Sequence, residues 1–326
     1  MIRRVQQIGD KGSFIITLPK TWCEKNDIHQ GSELVINDEI RERSVLITLP
    51  KNANNIEQLE IEIPFGSLTD QRMIGRSILG RYLDGYDIIK LTEIPDERKL
   101  EVRKSIKALI LKLYVSRETE IIDKAIEIHV SKEIIPPLTV IDDLFIKAKE
   151  MISDAVLAFF DGDFELADNI IQRDEDADKL YFYIVRTLKK IFRDPMMSSE
   201  YFRHDEKTNF NLIDALDLRM IASYLENLAD SAEELATATL DGIAIEKGKQ
   251  QKDLSRTFDQ LSRLLEGSYK SYQTSDQARS IIILDETKEL NILIEKKFDN
   301  IPLPVKNTLS ELVECIIDIA DLVGEQ

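Results

Sequence analysis

From residue 137 to residue 326 apolar side chains recur every three or four positions almost without a break. That period is the one an α-helix needs to bury a single face. The pattern resolves into six expected helices, at about 140–160, 164–193, 210–246, 250–272, 276–298 and 304–323. Most links between them are short and polar or proline-bearing: "DGD", "EKGK", "QTS" and "IPLP". The exception is the stretch "DPMMSSEYFRHDEKTN" at 194–209, expected to be a long loop. Six long helices joined this way can form an up-down bundle or two three-helix bundles, and little else.

The first 136 residues follow different rules. Residues 1–50 read as short strands and turns: "RRVQQIG", a turn at "GDKG", the β-branched run "SFIITLP", a helical turn or two in "KTWCEKNDI", and a hairpin closed near Asp38–Arg43. This piece is too small and β-rich to bury its own core, so its edges are expected to pair with a second copy. Residues 51–136 read as β-α-β-α-β-β. Strands are expected at 59–63, 87–91, 118–123 and 125–131, with helices at about 69–83 and 96–113. That order suits a small sheet covered by two helices. Its glycines, in "GRSILGRYLDGYD", lack the spacing of a phosphate-binding loop. The expected domains are therefore 1–50, 51–136 and 137–326, with the last divided into repeats at 137–248 and 249–326.

Charge sharpens the division. The chain carries a net charge of −17, and residues 137–326 hold 22 basic against 38 acidic side chains. So acidic a region repels nucleic acid and attracts cations or basic partners. No apolar run approaches the length of a membrane span, and the start "MIRRVQQIGD" lacks the apolar core of a signal peptide. Two cysteines, Cys23 and Cys315, are too few for a disulfide framework or a thiolate cluster. A cytoplasmic protein with no membrane insertion is expected.

Some of the acids stand where a helix should place oil. In "NIIQRDEDADKLYFYIV", Asp174 and Asp178 share a face with Ala167, Ile170, Ile171, Tyr181, Ile184, Val185 and Leu188. A buried, unpaired carboxylate is costly and is normally neutralised or bound to a cation. The pair recurs. "IIQRDEDADKL" aligns with "SIIILDETKEL", so that Asp285 and Glu289 match Asp174 and Asp178, with Ala278, Ile281 and Ile282 leading into them. The third and sixth helices carry Glu226 with Asp230 and Glu314 with Asp318. An acid-x-x-x-acid spacing sets both carboxylates on one face, where they can share a cation; elsewhere the same spacing merely solvates a surface. Oxygen-only ligands favour magnesium, calcium or manganese.

Two resemblances extend this reading. The order strand, Gly turn, "LPK", short helix, Gly, hairpin, carried by Arg3, Arg4, Gly9, Leu18, Pro19, Lys20 and Gly31, resembles the SpoVT/AbrB swapped-hairpin family. That resemblance implies a homodimer through the N-terminal domain, and DNA contacts from Arg3, Arg4, Lys11 and Lys20. The twofold repeat of three helices, with acid pairs on the second and third of each, resembles PhoU. The PhoU third-helix pattern E-R-I-x-D appears as "ENLAD" and "ECIID", without its arginine. Arg219 stands two turns before Glu226, and Asn307 holds that place in the second half. Together the two parts make the chain similar to archaeal PhoU-like regulators. That implies a multi-domain, mainly α fold: a small swapped-hairpin β domain, a small α/β domain and a six-helix PhoU-like region of two three-helix repeats. It also implies regulation of phosphate uptake and homeostasis, iron or zinc at the acid pairs, and a phosphate transporter or its ATPase subunit as partner. The expected metal ligands are Asp174, Asp178, Glu226 and Asp230 at one site and Asp285, Glu289, Glu314 and Asp318 at another.

Other classes stay in view. A transcription factor with a ligand-sensing helical domain fits the same layout, as does an adaptor without metal. A carboxylate-bridged di-metal enzyme would need Glu-x-x-His pairs, and His29, His129 and His204 provide none on an expected bundle helix. No catalytic residue is assigned, and a non-enzyme is expected.

Overall fold

Two short hairpins open the chain in a computed structural model, which describes residues 2–8, 12–37, 45–50, 58–68, 71–113, 120–122, 125–131, 133–193, 214–245 and 247–323. The chain divides into two compact units, 1–57 and 58–326. In the first, β1 (Gln6–Ile8) pairs antiparallel with β2 (Ser13–Ile15), and β3 (Val35–Asn37) with β4 (Leu46–Thr48). Helix α1 (Lys20–Lys25) starts behind Pro19, whose fixed φ suits a helix entry. The expected turn at Gly9–Lys11 and the hairpin closure at 38–43 lie outside the described residues. No described side chain of this unit is buried; Phe14 stays 71% and Ile36 67% exposed. Two-stranded ribbons without a covered face are marginal by themselves.

The second unit begins with a four-stranded mixed sheet in the order β5-β6-β8-β7. Strand β5 (Glu60–Pro64) runs parallel to β6 (Ile88–Thr92), as a crossover through α2 (Gln71–Leu83) requires. After α3 (Lys99–Leu111), β7 (Glu120–Ile122) and β8 (Ala125–His129) form an antiparallel pair, and β8 lies against β6. Alternate residues divide the sheet's two faces. Ile63, Ile89, Leu91, Ile126 and Ile128 are buried with Ile74, Ile78, Val102 and Ile106 of the helices. On the other face Lys90 bridges Glu60 and Glu127, each at 3.3 Å.

Six helices follow: α4 (Pro137–Asp161), α5 (Phe164–Arg193), α6 (Asp214–Leu240), α7 (Lys249–Thr274), α8 (Gln277–Lys297) and α9 (Leu303–Asp321). The expected loop at 194–209, with His204, lies outside the described residues. Helices α4, α5 and α6 pack on one another, α7, α8 and α9 do the same, and α6 lies against α9. One continuous apolar core runs through both sets. Starts and stops follow local chemistry. Asp163 Oδ1 accepts the Leu166 N–H at 3.0 Å, Asp276 Oδ1 accepts that of Arg279 at 3.1 Å, and Pro137 and Pro304 sit in first turns.

Helix α5 ties the bundle to the sheet. Arg186 is buried and donates to the Tyr82 and Tyr86 carbonyls at 2.7 and 2.8 Å and to Asp87 Oδ1 at 2.7 Å. Lys190 reaches the same carboxylate at 2.9 Å. The turn they grip contains Gly85 at φ +91°, where an added Cβ would meet Lys190 Cγ at 2.9 Å, so glycine is needed twice over. Phe182 of α5 packs into the sheet's core. The α/β part and the bundle thus share one unit, although composition shifts at "IIPPL".

Candidate functional site

The acids of the first helical half meet between antiparallel helices. Arg219 near the start of α6 donates to Tyr181 Oη at 3.0 Å, with its guanidinium 5.1 Å from that ring. Further along the pair, Asp174 and Asp178 of α5 come opposite Glu226, Asp230 and Glu233 of α6. Asp174 is only 9% exposed and is the sole buried carboxylate among the described residues. Burial, then Asp178, Glu233 and Asp230, push it up to about 7, against the pull of Lys112. Burial, then Asp230, Asp178 and Asp174, push Glu226 up to about 7, with Arg219 opposing. Asp230 rises to about 6, from burial first and then Asp178 and Glu233. Burial also raises Asp178, outweighing Lys112, whose Nζ stands 3.4 Å from Asp178 Oδ2. Acids this close titrate as a coupled set, and the cluster concentrates negative charge where water is scarce.

Helix α9 extends the acidic face. Glu311 is raised by burial, then by Glu314, Asp318 and, across the interface, Asp230 of α6. Asp318 is raised by burial, Glu314 and Asp321, and its charge reaches Tyr224 of α6. Three contributors escaped the sequence reading. Glu233 stands seven residues after Glu226 and Glu311 seven before Asp318, a spacing visible in principle. Lys112 arrives from α3 across 66 residues, and no local pattern announces it.

The second expected quartet is not brought together. Asp285 and Glu289 are exposed on α8, while Glu314 and Asp318 gather with the α9 acids and with α6. The reason is the rotation of α8. It turns Ser280, Ile283, Thr287 and Ile294 inward. Ser280 Oγ donates to the Ala320 carbonyl at 2.6 Å, and Ile283 lies so close to Gly267 of α7 that a Cβ there would meet it at 2.9 Å. The opposite side, with both acids, faces out.

Among the described residues no three His, Cys, Asp or Glu side chains stand as an assembled metal-binding group. The chemistry of the first cluster nonetheless suits a hard cation: oxygen donors only, and a buried Asp174 with no hydrogen bond or direct ion pair to its carboxylate among the described residues. His29 pairs with Asp27 and His129 with Glu127. Cys315 is buried, and burial pushes its thiol up. Of the expected DNA contacts, Arg3 and Arg4 are exposed, Lys20 lies 3.5 Å from Glu24, and Lys11 is outside the described residues. No described helix is long and apolar enough to cross a membrane.

An antiparallel helical bundle with an acidic interhelical face is thus the class that fold and site define. Residues 141–239, spanning most of α4 through α6, match the family model described as PhoU domain. The match links the chain to the regulation of phosphate homeostasis. No curated protein and no solved structure matches the chain.

Proposed function

We propose that this protein is a non-catalytic, cytoplasmic regulator of phosphate uptake whose first helical half binds a metal cation through Asp174, Asp178, Glu226 and Asp230. The observation that carries the reading is Asp174, buried amid four other acids, with Lys112 its one opposing charge among the described residues. A bound cation would supply the missing positive charge and hold α5 against α6. Magnesium, calcium or manganese suit the oxygen donors; the likeness to PhoU proteins points to iron or zinc. Helix α5 also grips the sheet through Arg186, so its position affects both parts of the unit. The partner we propose is a phosphate transporter or its ATPase subunit.

The first unit supports self-association, because its described apolar side chains lack any buried core. We read it as a SpoVT/AbrB-like homodimerising domain, and duplex DNA as a further ligand of Arg3, Arg4, Lys11 and Lys20. The test of the central claim is metal content by elemental analysis after loading and desalting. Asp174→Asn with Asp178→Asn should lose cation, whereas Asp285→Asn with Glu289→Asn should keep the wild-type amount. Equal metal in the first double variant and wild type refutes the site.

A further inference from the structure

Helix α8 is apolar on two opposite sides, and only one is covered. The inner side holds Ile283, Thr287 and Ile294. At 100° per residue, Ala278, Ile281, Ile282, Asp285, Glu289, Ile292 and Leu293 fall within one outward stripe, with Lys296 on it beyond the second apolar pair. Ile281 is 60% exposed, Ile282 58%, Ile292 50% and Leu293 59%. A helix apolar on both sides is one whose second side is also meant to be buried. The two apolar pairs stand eleven residues apart, about 16 Å along the axis. Between them lie Asp285 and Glu289, which form no ion pair among the described residues.

We propose that this stripe is a docking site for a basic amphipathic helix of another protein. Charge complementarity selects that occupant. A second copy of α8 laid antiparallel about a twofold axis near Thr287 would set Asp285 against Glu289 of its mate. A parallel copy would set Asp285 against Asp285. Either arrangement places four carboxylates at the centre of an apolar contact, and like charges there oppose pairing. A membrane surface is disfavoured for the same reason, because interfacial helices carry lysine and arginine rather than central acids. A helix with apolar anchors at matching spacing and two or more lysines or arginines between them satisfies both parts of the stripe. This inference stands apart from the cation site, since neither Asp285 nor Glu289 meets the α5–α6 acids.

The test uses the full-length protein and two labelled synthetic helices of about 18 residues, long enough to span the stripe at 1.5 Å per residue. They share apolar pairs eleven residues apart and differ in having four lysines or four glutamates between them. Fluorescence anisotropy should show the lysine peptide binding at least about tenfold tighter than the glutamate peptide. Ile282→Glu with Leu293→Glu should abolish that binding, leaving thermal stability and oligomeric state unchanged. Asp285→Lys with Glu289→Lys should reverse the preference. Equal affinity for the two peptides, or binding of neither, overturns the proposal. So does a fall in oligomeric state in the Ile282→Glu/Leu293→Glu variant, which would assign the face to a second copy. Loss of phosphatidylcholine vesicle binding in that variant would assign it to lipid and overturn the proposal equally.

Discussion

Replacing Asp174 with asparagine should make the metal-free protein more stable at pH 8, though a buried, polar, evolved side chain is being altered. The substitution keeps shape and volume and removes only the charge. In the folded chain Asp174 is raised from 3.8 to about 7. A carboxyl raised on folding binds its proton more tightly in the folded state. Its contribution is therefore most favourable below the ordinary carboxylate range and is lost as pH climbs to about 7. A shift of that size sets a ceiling of about 4 kcal/mol on the penalty at pH 8. Water reaches the rim of the cluster, and protonation of one acid eases its neighbours, so about 1–2 kcal/mol should be recovered. The assay is urea unfolding of chelator-treated protein, followed by circular dichroism, at pH 8, 7, 6 and 5. Wild type should gain stability as pH falls across that range. The variant should gain less, and the two curves should converge toward pH 4. An Asp174→Asn protein that is less stable than wild type at pH 8 refutes the reasoning. A stability gain of equal size at pH 5 and pH 8 refutes it as well, because the charge would then not be its cause.

Further outcomes follow at Lys112, beside that cluster, and at Arg186, which holds the Tyr82–Asp87 turn. Lys112→Ala should destabilise chelator-treated protein by about 0.5–1 kcal/mol at pH 8 and by almost nothing at pH 5, since Lys112 is partly exposed and its partners protonate. The same change should tighten manganese binding several-fold in calorimetric titration, because an internal cation no longer competes for the acids. Arg186→Met should cost about 2–4 kcal/mol in urea unfolding at pH 7. The cost stays below that of a fully broken buried pair because Asp87 keeps Lys190 at 2.9 Å and the Tyr82 carbonyl keeps the Gly85 N–H at 3.0 Å.

The fold was largely legible because most of this chain is built from local rules. Long 3.6-residue periods, proline entries and polar links mark α4 through α9 to within a few residues, except that α6 ends at Leu240, six residues short of the expected 246. The strand–helix alternation of 59–131 likewise foretells the element order around the four-stranded sheet. What the sequence hid is contact at a distance. The composition shift at "IIPPL" suggests a boundary, yet Arg186 and Lys190 reach back about a hundred residues to hold the Tyr82–Asp87 turn. A buried arginine in the last third of an otherwise ordinary helix gives no sign of which carbonyls it will serve.

The two acid pairs show where periodicity stops being sufficient. Asp174–Asp178 and Asp285–Glu289 share spacing, alignment and an apolar run leading into them, yet one pair is enclosed and the other faces out. Spacing determines only that both acids lie on one stripe of a helix; the neighbours determine whether that stripe is the covered one. Helix α5 packs against α4 and α6, and the end of α3 reaches it through Lys112, so the side bearing Asp174 is covered. Helix α8 packs mainly on α7 and α9 among the described residues, and it meets them through the side holding Ser280, Ile283 and Thr287. The close approach at Gly267 and the bond from Ser280 to Ala320 hold that rotation. Turning α8 to bring Asp285 toward α9 would pull Ile283 and Ile294 out of the core. Each fully buried aliphatic side chain is worth about 1.5–3 kcal/mol, so the packed side wins over the acid pair unless a ligand offsets the loss.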